Sequence, residues 1–247
     1  MWTCNVEKPG RGVKQMPLNL LSDLDITLDL SKPHALTGRN GSGKSTLCRA
    51  LVGLYKVPNG RLRWSLDGKS QTTPKIGYLP SRGGLKNDLS VCTNISLVAR
   101  MRGVNLSDQD VQKWLDDNGL GELGPRFPDS LSFGQVQVAR IGTIVLTKPD
   151  IMVLDEPTTG LDIERSYLID TLLENACYNG AGIIIATHDM ETASNLCDSI
   201  TIMDGGLVLY HGLIDELRKT TPGRRLKDCY WKILHQEGYA LPNSSRS

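Results

Sequence analysis

An α/β fold follows from three features of this 247-residue chain. A short strand, His34 to Thr37, runs directly into the glycine-rich GRNGSGKST of Gly38 to Thr46 and on into the helical STLCRALVGL, a strand, loop and helix unit. Two aliphatic strands, IMVLD at 151–155 and GIIIAT at 182–187, flank a helical segment, the alternation of parallel strands covered on both faces. Apolar residues alternate at Leu24, Ile26, Leu28 and Leu30, and again at Leu62, Trp64 and Leu66, which predicts an antiparallel β subdomain in the N-terminal part.

Along the chain, IGYLP at 76–80 reads as a further strand, and from Leu89 the pattern turns helical. Ser107 is placed as an N-cap, with Leu106 and Val111 as a hydrophobic staple. Val111, Trp114 and Leu115 then share one face until Asn118 and Gly119 stop the helix, so Trp114 reads as core. A mostly helical subdomain is expected from about residue 80 to 146. SITIMDGGLVLYHG predicts a hairpin turning at Asp204 to Gly206. LIDELRKT closes the main domain near residue 220, and 221–247 reads as a helix carrying Leu226, Tyr230, Ile233 and Leu234 on one face, then a polar tail expected to be mobile.

Composition narrows the functional classes. Lys plus Arg number 28 against 27 Asp plus Glu, so no bulk field draws the chain to nucleic acid or anionic lipid, and no nucleic-acid partner is expected. The six cysteines are scattered without metal-ligand spacing and read as reduced thiols of a cytosolic protein. No apolar run reaches the length of a membrane span, so any membrane link runs through a partner.

Gly38 to Thr46 fits the phosphate-loop pattern in its required setting, after a strand and before a helix. Gly38, Asn40, Gly41, Ser42 and Gly43 let backbone N–H groups close round a phosphate, and Thr46 continues the helix start. Lys44 reaches the β and γ phosphates as a point charge, while Ser45 offers its hydroxyl to Mg²⁺. Asp155 and Glu156 end an aliphatic strand, a repulsive pairing that makes sense when Asp155 holds the metal through water and Glu156 polarises the attacking water. LSFGQ, Leu131 to Gln135, puts Ser132, Gly134 and Gln135 at a second helix start, chemistry that also suits phosphate.

Assembled in order from Gly38 to His188, these motifs resemble the nucleotide-binding subunit of ATP-binding cassette (ABC) transporters. LSFGQ resembles that family's signature, TTGLD at 158–162 its D-loop, and Thr187-His188-Asp189 its switch histidine. The resemblance implies a phosphate-loop NTPase of the ABC ATPase type, spanning about 1–220, with ATP and Mg²⁺ as cofactors. It implies a head-to-tail homodimer in which Ser132, Gly134 and Gln135 of one copy close over the nucleotide held by Lys44, Ser45 and Asp155 of the other. His188 would contact the γ-phosphate and align water with Glu156, and Asp162 would join the protomer contact. The implied partner is an integral membrane permease, with the chain peripheral on the inner face of the cell membrane. IGYLP followed by GGLKNDLSV looks most like the ATPase subunits of two-component exporters of drugs, peptide antibiotics, lipids or polysaccharides. A soluble ABC ATPase acting on ribosomes or DNA is the alternative class, though its paired cassettes or long coiled-coil insertion do not fit this length. A phosphate-loop kinase or GTPase leaves LSFGQ and Glu156 without a role.

Several positions depart from the family pattern. Ser81, followed by Arg82, stands where the family places a glutamine that reaches metal and water. No aromatic residue lies in Arg11 to Pro17, where the adenine is usually stacked, which implies either weaker nucleotide affinity or a ring capped by Arg11 or Lys14. Phe133 replaces a glycine of the signature, either to pack on the partner or to fill core, and Val136 and Val138 read as helix packing.

Overall fold

The computed structural model describes residues 2–7, 26–55, 61–70, 73–221 and 225–235. Arg11 to Pro17, Leu24 and the tail from Pro242 lie outside the described residues.

Two sheets organise the molecule. Strands β1 (Trp2–Glu7), β2 (Ile26–Asp29), β4 (Arg61–Leu66) and β5 (Lys69–Ser70) form an antiparallel sheet in the order β2-β1-β4-β5. The second sheet runs β10-β9-β3-β8-β7-β6, built from β3 (His34–Gly38), β6 (Ile76–Leu79), β7 (Ile151–Asp155), β8 (Gly182–Ala186), β9 (Ser199–Asp204) and β10 (Leu207–Leu213). All its neighbours pair in parallel except β9 with β10. That hairpin turns through Gly205 (φ 53) and Gly206 (φ 83), the two positive-φ positions that a tight two-residue turn demands.

Strand alternation distributes the aliphatic residues between two cores. Ile151 and Val153 of β7 and Ile184 of β8 face helix α1 (Lys44–Leu51), whose Leu47, Cys48 and Leu51 are sandwiched against Cys4, Val6, Ile26 and Leu28 of the antiparallel sheet. Met152, Leu154, Ile183 and Ile185 point to the opposite face, covered by α4 (Phe133–Val145), α5 (Ile163–Tyr178), α6 (Met190–Leu196), α7 (Ile214–Lys219) and α8 (Leu226–His235). Helices α2 (Val91–Met101) and α3 (Asp108–Asp117) make a third cluster with α4 through Val91, Ile95, Val111, Leu115 and Ala139. Trp114 packs against this cluster and the main core as expected. Ser107 caps α3 in a full capping box with Asp110. On α8 the buried face carries Leu226, Cys229 and Ile233, turned onto the chain's own α6 and α7.

All six cysteines are free thiols. Among the described residues, no helix is long and apolar enough to cross a membrane.

Candidate nucleotide site

The site gathers at the C-terminal ends of β3, β7 and β8. Strand β3, buried along all five residues, ends at Gly38. Gly41 (φ 81) and Gly43 (φ 103) turn the chain through left-handed backbone that an L side chain resists. Gly43 is the N-cap of α1 and supplies no side-chain acceptor, so the positive end of the helix is left for an anion. Asn40 and Gly41 are exposed at the loop tip, Ser42 and Gly43 are buried, and Ser45 and Thr46 are half-buried in the first turn. Gly206 donates its N–H to the Ser42 carbonyl at 3.1 Å, fastening the loop to the β9–β10 turn.

Lys44 is 6% exposed, and its Nζ donates to the carbonyls of Gly38 (2.8 Å) and Arg39 (3.1 Å). Burial pulls its pKa below the ordinary lysine value, while Glu156 and Asp155 push it back up. The ammonium donates to two carbonyls and feels the carboxylates of Glu156 and Asp155, while phosphate oxygens would offer it charged acceptors.

Asp155 ends β7 in phase with Ile151 and Val153, which turns its carboxylate to the α1 side of the sheet. Both its oxygens are buried and without a hydrogen-bond partner. Burial raises its pKa above the usual carboxylate range, with the Ser45 hydroxyl pulling the other way. A buried orphan carboxylate is costly, and a cation beside Ser45 relieves it. Among the described residues there is no group of three or more His, Cys, Asp or Glu that could hold a metal ion; the Ser45 hydroxyl and the Asp155 carboxylate are oxygen donors of the kind Mg²⁺ takes.

Glu156 follows with φ 57, a left-handed conformation rare outside glycine, and donates its N–H to the Ala186 carbonyl at 2.8 Å. Its carboxylate lies between three side chains. His188 Nδ1 is 2.9 Å from Oε1, and the hydroxyls of Thr159 (2.6 Å) and Thr187 (3.4 Å) donate to Oε2. The structure therefore joins Glu156 and His188 directly, and adds Thr159, whose place in TTGLD carried no hint of this contact.

Ser132 is the N-cap of α4, its hydroxyl accepting from the Gln135 N–H at 3.3 Å while the Gln135 amide oxygen accepts from the Ser132 N–H at 3.0 Å. Gln135 is thus folded back onto its own helix end. Gly134 is buried beneath Arg165 and Leu161. Asp162 caps α5 and pairs with Arg165, whose N–H leads the groups that lower its pKa. Phe133 is 63% exposed with its ring against Gly160, so it does not fill core. Val138 is buried as expected, and Val136 half-buried. Ser81 and Arg82 are exposed on the loop after β6.

Comparison with known proteins agrees with this geometry. Residues 21–159 match the family described as ABC transporter. The methionine import ATP-binding protein MetN 2 of Salmonella typhimurium is 31% identical over 214 residues, 82% of this chain and 62% of that protein. The Nod factor export ATP-binding protein I of Cupriavidus pinatubonensis is 28% identical over 217 residues, 85% of this chain and 67% of that one. This chain therefore spans about two thirds of these relatives' length. A solved structure, described as the ATP-binding subunit of an ABC transporter, superposes with a TM-score of 0.78 at 26% identity, covering 94% of this chain and 99% of the other. The family match alone takes in more than half of the 247 residues, and on that footing this chain belongs to the ABC transporter family and carries its ATPase domain.

Proposed function

We propose that this chain binds Mg-ATP between two head-to-tail copies and hydrolyses it to drive a separate membrane permease. The observation that carries the reading is the Glu156 carboxylate, held 2.9 Å from His188 Nδ1 on the same sheet edge as Lys44 and the unpartnered Asp155.

The phosphate loop from Gly38 to Gly43, with Lys44 and the start of α1 at Ser45 and Thr46, would cradle the phosphates. Asp155 and Ser45 would hold Mg²⁺, which supplies charge neutralisation to the phosphates when bound. Glu156 takes the proton of the attacking water, while His188 and Thr159 fix which oxygen faces it. Ser132 is exposed and Gln135 half-buried, where a second copy can reach them, while Gly134 is buried beneath Arg165 and Leu161. Beside them stand Phe133, Ile163 and Tyr167, exposed by 63%, 88% and 73%, an apolar fringe next to Asp162 that a second copy would cover.

For direction, we assign export of a drug, peptide-antibiotic or lipid-like cargo. The IGYLP and GGLKNDLSV segment supports it, as does similarity to a Nod factor exporter, while similarity to MetN 2 supports import. Co-purification with a permease and cargo flux in inverted vesicles test this part.

Glu156→Gln tests the chemistry. Turnover should fall by about 10² to 10⁴ while ATP still binds and an ATP-bound dimer accumulates. Full turnover in that variant removes Glu156 from the role.

A further inference from the structure

Helix α4 is apolar along most of its length, yet it buries two polar side chains, Gln137 (3% exposed) and Arg140 (6%). Three residues apart, they meet on one face of the helix. Arg140 Nη1 donates to Gln137 Oε1 at 2.6 Å, and its other terminal nitrogen donates to the Pro80 carbonyl at the end of β6. Gln137 Nε2 in turn donates to the Pro157 carbonyl at 2.9 Å, with the Glu156 carbonyl at 3.5 Å. A continuous polar chain thus runs from the loop after β6, through α4, to the backbone on either side of the Glu156–Pro157 bond.

Packing does not explain this pair. A leucine or methionine would fill the same space without burying a guanidinium, and among the described residues this guanidinium has no carboxylate partner and its Nε is buried without an acceptor. Burial alone lowers its pKa. The loop is shaped around it: Gly84, at φ 127, lies so close that a Cβ there would stand 2.9 Å from Arg140 Nε. At the other end, Glu156 keeps a left-handed φ of 57, which persists only where surrounding groups over-determine the backbone.

We infer that Gln137 and Arg140 are a positioning pair: the Gln137 amide fixes the carbonyls around Glu156, and Arg140 fixes that amide and fastens it to the exposed segment from Pro80 to Gly84. Neither touches the nucleotide. Their effect is on where the Glu156 carboxylate sits, and movement of the Pro80–Gly84 segment reaches Glu156 through them. The inference rests on the hydrolytic role proposed for Glu156 and gives the departure at Ser81 a physical counterpart, since the tie from this loop to the site starts at the neighbouring carbonyl.

The test compares the full chain with Arg140→Met, Gln137→Met, the double variant and Arg140→Lys, in steady-state ATPase assays and in hydrogen exchange of segments 80–90 and 156–160. Either methionine variant should lower kcat by about tenfold to a hundredfold with KM for ATP changed by less than about twofold, and the double variant should be no worse than the singles. Arg140→Lys, which keeps charge but lacks the fork, should fall between. Exchange should quicken in both segments together. Unchanged kcat in a folded methionine variant, losses that multiply in the double, or faster exchange confined to one segment overturns the inference. Should Arg140→Met not fold, Gln137→Met and Arg140→Lys carry the same comparison. A wild-type chain without ATPase activity overturns the proposed hydrolysis instead, and the exchange arm still decides whether the pair links the two segments.

Discussion

Asp155 holds a charge in a buried place where the nearby Ser45 hydroxyl offsets only part of the burial, so the folded chain without ligand is destabilised there. Its raised pKa has a definite sign: the fold favours the protonated carboxyl, and stability contributed by this residue is lost as pH rises above the unfolded value. Asp155→Asn should therefore raise the melting temperature of the ligand-free protein. Lys44, which loses an attractive charge, limits the gain to about 1 kcal/mol, or about 2–4 °C for a chain of this size. The gap between variant and wild type should narrow at acid pH, and stabilisation by Mg-ATP should largely vanish. Thermal melts with and without Mg-ATP check all three. A variant that melts lower than wild type without ligand contradicts the picture of an orphan carboxylate waiting for a cation.

Two helices of this fold start with the same device. Ser107 and Ser132 each cap a helix in a reciprocal box, with Asp110 and with Gln135. Replacing either serine with alanine should cost about 1 kcal/mol, because each leaves one N–H unsatisfied. Their consequences for turnover should differ. Ser107 serves only the cluster of α2, α3 and α4, so Ser107→Ala should leave ATPase activity intact. Ser132→Ala, equally destabilised, should also lose turnover if its hydroxyl serves a second copy's nucleotide. Equal activities in the two variants would leave Ser132 as a cap alone. The Ser107 cap was legible in the sequence because a cap is written within four consecutive residues, whereas the box at Ser132 was not, its Gln135 reading as a phosphate donor; the buried strands β7 and β8 were legible because four apolar residues in a row admit few readings. The contacts of Glu156 were half legible: its order after the strand was plain, but the bond to His188 spans 32 positions of chain and depends on β7 and β8 being neighbours. Gln137 and Arg140 were not legible, since helical periodicity says which face is apolar but not which distant carbonyl a buried polar group will meet. Phe133 likewise could have been core or surface until the backbone turned it outward.

The two sheets are held together by α1 between them and, at their edge, by a polar thread through two histidines. His34 on β3 is fully buried, with Nδ1 2.6 Å from the Ser199 hydroxyl and Nε2 2.8 Å from the Thr201 hydroxyl. Thr201 also bonds His211 Nδ1 at 2.9 Å, and His211 Nε2 lies 3.1 Å from the Thr27 carbonyl of the antiparallel sheet. Burial, and then the nearby His211, pushes the His34 pKa down to about 3, and burial also lowers that of His211. In the unfolded chain a histidine takes up its proton near 6.5, while folded His34 stays neutral down to about 3. Across that window the unfolded state binds more protons, so stability is full above the unfolded value and declines as pH falls. For His34 alone the decline approaches about 1.4 kcal/mol per pH unit. Asp170, pushed up to about 6 by burial, titrates inside the same range with the opposite sign, so the histidine contribution is read as the difference between wild type and His34→Gln in urea unfolding from about pH 7 to about pH 4.5. His34→Gln should flatten that slope while lowering stability at neutral pH, because the Ser199 and Thr201 hydroxyls lose their ring partner. A slope unchanged by the substitution would place the acid sensitivity elsewhere than His34.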